Sequence, residues 1–60
     1  MTPAEATVYR ALLDGQTYLP DLARKLWMSE STVAAAVLTL EGRKLVKSSR
    51  VGKYRMARAL

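Results

Sequence analysis

The 60-residue chain contains no cysteine and no histidine. The first absence excludes disulfides and thiolate metal sites, so nothing covalent can supplement the core. The second removes the commonest general base and the commonest metal ligand. The acids Glu5, Asp14, Asp21, Glu30 and Glu41 are scattered without a pairing motif, and no glycine-rich loop is present to cradle a phosphate. No serine or threonine has a histidine to activate it. An enzyme is therefore not expected, no catalytic or metal-binding residue and no cofactor are assigned, and no small-molecule ligand is evident. No apolar run approaches the ~18 residues of a membrane span. Met1-Thr2-Pro3-Ala4-Glu5 lacks the basic start and apolar stretch of a signal peptide. The expectation is a cytoplasmic chain without a membrane partner.

Acid is also missing from one whole stretch of the chain. Residues 1–41 carry Arg10, Arg24 and Lys25 with all five acids, a net of −2. Residues 42–60 carry Arg43, Lys44, Lys47, Arg50, Lys53, Arg55 and Arg58 with none, a net of +7. So one-sided a field attracts polyanions, because neutralising phosphates releases condensed counterions. A solvated basic tail would have the same composition, so the structure of this segment has to decide.

Half of the residues are hydrophobic, which suits a packed globule. At this length the expectation is one domain, 1–60, marginal because such a chain buries only about 60% of its unfolded surface. Thr2-Pro3-Ala4-Glu5 reads as a capping box with proline at the first helical position. The helix it opens should bury Val8, Tyr9, Leu12 and Leu13 and end near Asp14-Gly15, with Gly15 as a left-handed cap. Gln16-Thr17-Tyr18-Leu19 is β-prone but too short for an independent strand, and suits one edge of a small sheet. Pro20-Asp21 opens a second, two-turn helix with Leu22, Ala23 and Leu26 inward. Ser29 caps a third, where Val33, Val37 and Leu40 recur at i, i+4 and i+7 beside Ala36, running to Gly42 or Arg43. Leu45 to Ser49 and Lys53 to Ala57 then read as a hairpin around Arg50-Val51-Gly52. On that reading Val46, Ser48, Tyr54 and Met56 pack inward and the basic residues fall between them. Tyr18 is also read as packing, and Arg24 and Lys25 as solvated.

The run Leu22-Ala23-Arg24-Lys25-Leu26-Trp27-Met28-Ser29-Glu30-Ser31-Thr32-Val33 resembles the helix-turn-helix core of bacterial and phage winged helix-turn-helix transcriptional regulators. Val37, Leu40-Glu41, Leu45-Val46 and the basic hairpin with its glycine resemble the rest of that domain. The resemblance spans Glu5 to Met56 and rests on joint spacing rather than on any single residue. It implies an α+β fold, a three-helix winged helix-turn-helix with a short strand and a C-terminal β-hairpin wing. It also implies double-stranded DNA as partner, with helix 29–42 in the major groove and wing 46–57 on phosphates. On that basis Ser29, Ser31, Thr32, Ala35 and Thr39 face bases or nearby phosphates. Arg50, Lys53 and Arg55 hold the backbone, with Lys47 and Arg43 as lesser candidates.

The sequence departs from the family pattern at two places. Trp27 occupies the turn position usually taken by glycine, where core burial is the expectation and an interface anchor the alternative. The third helix shows Ala34-Ala35-Ala36 where such helices display arginine, lysine, asparagine or glutamine for bidentate base readout. Affinity should then come mainly from phosphates, with specificity from a few contacts, from DNA shape or from dimerisation. The leading expectation is a small sequence-specific or semi-specific DNA-binding regulator, a repressor acting as a homodimer. The alternative is a protein-interaction or homo-oligomerisation module on the same fold, using the outer face Ser31, Ala35, Leu38 and Gly42 with Trp27 near its start. RNA binding through the hairpin ranks third, since the hairpin offers only Tyr54 for stacking.

Overall fold

A computed structural model describes residues 1–15 and 17–60; Gln16, at the start of the segment read as an edge strand, lies outside the described residues. The elements follow the order α1 (Pro3–Leu13), β1 (Thr17–Tyr18), α2 (Leu19–Leu26), α3 (Glu30–Gly42), β2 (Val46–Val51) and β3 (Tyr54–Ala59). The helices pack on one face of an antiparallel sheet of strand order β1-β3-β2. Among the described residues no helix is long and apolar enough to cross a membrane.

The starts of α1 and α3 follow from their caps. The Thr2 hydroxyl accepts from the Glu5 amide at 3.2 Å while Glu5 Oε1 accepts from the Thr2 amide at 3.2 Å, a complete capping box. Ser29 Oγ accepts from the Thr32 amide at 3.2 Å. By contrast α2 begins at Leu19, one residue before the expected Pro20, and Tyr18 caps it without a side-chain bond. Leu19 is thereby taken from the strand and buried in the core.

Two helix ends share a device. Beyond α2 the Met28 amide bonds Ala23 O at 2.9 Å and the Trp27 amide bonds Arg24 O at 3.3 Å. Beyond α3 the Leu45 amide bonds Leu40 O at 3.0 Å and the Lys44 amide bonds Glu41 O at 2.9 Å. Both are Schellman pairs, which need a left-handed residue at the turn. That residue is Trp27 in one case (φ 57°) and Lys44 in the other (φ 64°), neither of them glycine. After α1, Gly15 takes a φ of 148°, wider than the ~57° of the left-handed cap expected there.

One core joins every element except β1. It contains Val8 and Leu12 of α1, Leu19, Leu22 and Ala23 of α2, Val33, Ala36, Val37 and Leu40 of α3, Val46 of β2 and Ala57 of β3. The stripe expected on α3 is thus the buried one. Leu13 is not part of the core: it is 59% exposed, because it follows Tyr9 by one turn on the rim of α1 rather than Val8 on its inner face.

The hairpin turns differently from expectation. Its loop is the pair Gly52-Lys53, with Gly52 at φ 62°, and Arg50 and Val51 belong to the strand. Val51 pairs with Tyr54, Ser48 with Ala57 and Val46 with Ala59. Cross-strand partners share a face, so the inward residues of β3 are Ala57 and Ala59. Tyr54 and Met56, expected to pack against the helices, lie on the opposite face, and Tyr54 is 54% exposed. Tyr18 pairs with Met56 and so also lies on that face, where its ring meets Tyr54 edge-on at 6.1 Å.

Candidate nucleic-acid interface

The surface that could meet a polyanion is built from α3 and the hairpin. At the start of α3 three hydroxyls form a local network. Ser29 Oγ lies 2.7 Å from Thr32 Oγ1 and 3.3 Å from Ser31 Oγ. One turn before its end, Thr39 donates its hydroxyl to Ala35 O at 3.1 Å. All five expected contact residues of this helix, Ser29, Ser31, Thr32, Ala35 and Thr39, are exposed. Four of them, Ser31, Thr32, Ala35 and Thr39, line one shallow groove against Glu5 of α1 and its capping residue Thr2. Their hydrogen-bonding capacity is partly spent inside the protein. A back-bonded threonine presents its methyl and its lone pairs but no free proton.

The other side of α3 faces the wing. Ala34, Ala35 and Leu38 line a cleft of about 570 Å³ whose opposite wall is Lys53, Tyr54 and Arg55, with Leu19 and Pro20 at its floor and Glu30 at the helix start. Leu38 is 64% exposed there. Of the expected wing contacts, Lys53 and Arg55 are thus brought opposite Ala35. Arg50 pairs directly with Arg55 on the same face of the sheet. Lys47 is set apart: it pairs with Arg58 on the outer face, beside Ser49 and Met56. Arg43 caps the far end of α3.

Favourable cross-strand pairs each contribute about 0.2–1 kcal/mol, and like charges directly opposite act against the pairing. The hairpin contains two like-charge pairs, Arg50–Arg55 and Lys47–Arg58. Arg58 was not singled out from the sequence; only the register brings it to Lys47.

A second feature invisible in the sequence ties the hairpin to α3. Glu41 accepts from the Ser48 amide (Oε2, 3.2 Å) and the Ser48 hydroxyl (Oε1, 2.9 Å). These two bonds hold the Glu41 carboxyl below its ordinary pKa of 4.5, with smaller help from the charges of Arg55 and Lys47 against a small opposing effect of burial. A seven-residue spacing between a helix and a strand has no periodic signature, so no sequence rule would have found it.

Trp27 departs furthest from expectation. Its side chain is 95% exposed at the α2–α3 turn rather than buried in the core. The Schellman geometry explains this, since the left-handed turn directs its side chain away from both helices. Among the described residues no group of three potential ligands is placed to hold a metal ion.

With three helices, an edge strand and a two-stranded wing in this order, the fold can be compared with solved structures. The chain superposes over its full length on the transcriptional regulator PcaV from Streptomyces coelicolor, solved in complex with its natural ligand, with a TM-score of 0.92 and 22% identity. It superposes equally completely on Bordetella bronchiseptica BpsR, whose DNA binding is regulated by 6-hydroxynicotinic acid, with a TM-score of 0.90 and 25% identity. It covers 93% of its length on the homodimeric winged helix-turn-helix DNA-binding domain of Mb0332 from Mycobacterium bovis, a possible ArsR-family regulator, with a TM-score of 0.83 and 21% identity. The fold is a winged helix-turn-helix. The chain spans only about half of these proteins, matching 45% of PcaV, 48% of BpsR and 52% of the Mb0332 chain. No family model matches the sequence, and no curated protein sequence does.

Proposed function

We propose that this winged helix-turn-helix binds duplex DNA and serves as the reading module of a transcriptional repressor that acts as a homodimer. Residues 1–60 form one module in this reading, with α3 in the major groove and the wing on phosphates. The observation that carries it is the like-charge pairing of the hairpin. A strand pair that sets Arg50 against Arg55 and Lys47 against Arg58 is more stable with an anion between the charges than without one. PcaV, BpsR and Mb0332 supply the analogy for regulation, and the homodimeric Mb0332 domain supplies it for assembly. A dimer also answers the scarcity of base contacts on α3, because two half-sites double a thin readout.

The test is binding to a random-sequence duplex across a salt series. The wild type should show a log–log slope of about −4 or steeper. The Arg50→Ala, Lys53→Ala, Arg55→Ala triple variant should bind much more weakly, with the slope flattened by about 3. Unchanged affinity in the triple variant would remove the proposal.

A second reading is favoured by the exposure of Trp27 (95%) and Leu38 (64%), large apolar side chains that a monomer gains nothing by displaying. It makes the outer face of α3 a surface for self-association or for a protein partner. Light scattering on the same samples separates the two, since a stable oligomer that ignores DNA at low salt belongs to this second reading.

A further inference from the structure

Resting on the DNA-binding reading, we infer that Leu38, flanked by Ala34 and Ala35, is the specificity-determining residue of α3 and that it reads the C5-methyl groups of thymine. Residues 30–42 contain no arginine, lysine, asparagine or glutamine, so the bidentate pairings that identify guanine and adenine are unavailable to this helix. The hydroxyls of Ser29, Ser31 and Thr32 bond one another, and that of Thr39 bonds Ala35 O. What the helix offers in the cleft is hydrocarbon. Leu38 is 64% exposed there, with Ala34 and Ala35 one turn earlier. Among base edges in the major groove, the thymine methyl is the one apolar group, and it is recognised by apolar contact.

The occupant of the cleft follows from its other wall. Lys53 and Arg55 stand across from Leu38, and Arg50 stands behind Arg55. An apolar protein segment would gain from Leu38 but would leave these charges unmatched. A DNA strand satisfies both walls, with its phosphates on the wing and its base edges on α3. Glu30 lines the same cleft at the helix start and repels phosphate from the α3 side. The strand backbone is therefore held from the wing, leaving the base edges toward Leu38.

Removing one methyl from a buried contact weakens binding about fourfold, as expected for the loss of one apolar carbon from a dry contact. The experiment selects a binding duplex from a randomised pool and then resynthesises it with every thymine replaced by deoxyuridine. Wild-type protein should bind the deoxyuridine duplex at least about fourfold more weakly. Leu38→Gln should bind both duplexes alike. Leu38 is exposed, and circular dichroism verifies that the variant keeps its fold. Equal wild-type affinity for the two duplexes overturns the inference while leaving the wing's phosphate binding standing. A thymine preference undiminished in Leu38→Gln also overturns it, because DNA shape would then carry the discrimination. If no duplex is bound at low salt, the DNA-binding reading fails first and the inference with it. If Leu38→Gln changes the molar mass of the protein but not its response to deoxyuridine, Leu38 belongs to a protein interface and the inference is lost.

Discussion

Replacing Trp27 by glycine should make the domain more stable, although it deletes the largest side chain in the molecule. Trp27 sits at φ 57°, ψ 40°, where an L-residue crowds its own Cβ against the following carbonyl. That crowding costs about 1–2 kcal/mol, and glycine does not incur it. The opposing effect is the greater freedom of glycine in the unfolded chain, about 0.4–1 kcal/mol. Burial adds almost nothing to the other side, because the indole is 95% exposed. The net expectation is a gain of about 0.5–1 kcal/mol, or a rise in Tm of roughly 3–8 °C for a domain of this size. Trp27→Ala provides the control. Alanine keeps the strained Cβ and loses only the indole, so it should remain close to the wild type and below the glycine variant. Thermal unfolding followed by circular dichroism, supported by urea midpoints, measures all three. If glycine and alanine variants are equally stable, the left-handed turn carries no strain and the reasoning is wrong. If both fall well below the wild type, the indole packs on something and its exposure is misjudged. The same variants carry functional information. Strain retained without any packing return suggests a role at the surface, so a more stable Trp27→Gly protein with weaker assembly or weaker DNA binding would mark the indole as an interface anchor.

Other perturbations have definite signs. Ser29→Ala removes the cap of α3 and should cost about 1 kcal/mol, read as a lower urea midpoint; Ser29→Gly should cost only a few tenths. Arg50→Ala relieves the Arg50–Arg55 opposition and should stabilise the fold by about 0.2–1 kcal/mol while weakening DNA binding, an opposition of effects that a purely structural arginine would not show. Glu41→Gln should destabilise the domain at neutral pH by weakening the link to Ser48. Since the folded-state pKa of Glu41 is depressed below 4.5, the stability it contributes is present above that value and is lost as pH falls through the lowered one. The difference in urea midpoint between wild type and Glu41→Gln should therefore narrow in acid, and a gap that widens there would contradict the assignment. Leu40→Ala, at a fully buried position, should cost about 2–5 kcal/mol. A domain of this length has roughly 3–9 kcal/mol in all, so this variant should show partial unfolding by circular dichroism at 25 °C.

The helical half of this fold was legible because its signals are local. Thr2 with Glu5, and Ser29 with Thr32, place both partners of a cap within four residues. The stripe Val33, Ala36, Val37 and Leu40 needs only the 3.6-residue period to be found. The glycine-versus-tryptophan departure at Trp27 was visible too, but not its outcome, because exposure of a turn residue depends on the direction in which the left-handed backbone aims it. The wing was legible as a hairpin and illegible in its register. A three-residue loop over Arg50-Val51-Gly52 pairs Val46 with Met56; the two-residue loop at Gly52-Lys53 pairs Val46 with Ala59. That shift is odd, so it exchanges the two faces of the strand. Hydrophobic size argued for Tyr54 and Met56 inside, yet Ala57 and Ala59 are the inward residues, and small side chains suit a strand packed against α1. The consequence for the site is larger than the consequence for the core. With the loop read as three residues, Lys47 would have opposed Arg55, and one face of the wing would have been basic. With the loop of two, cation opposes cation on both faces, and Arg55 points into the cleft toward Leu38. The charge of a basic segment can be counted from sequence, but which charges face one another, and which face α3, is decided by a single residue of turn length.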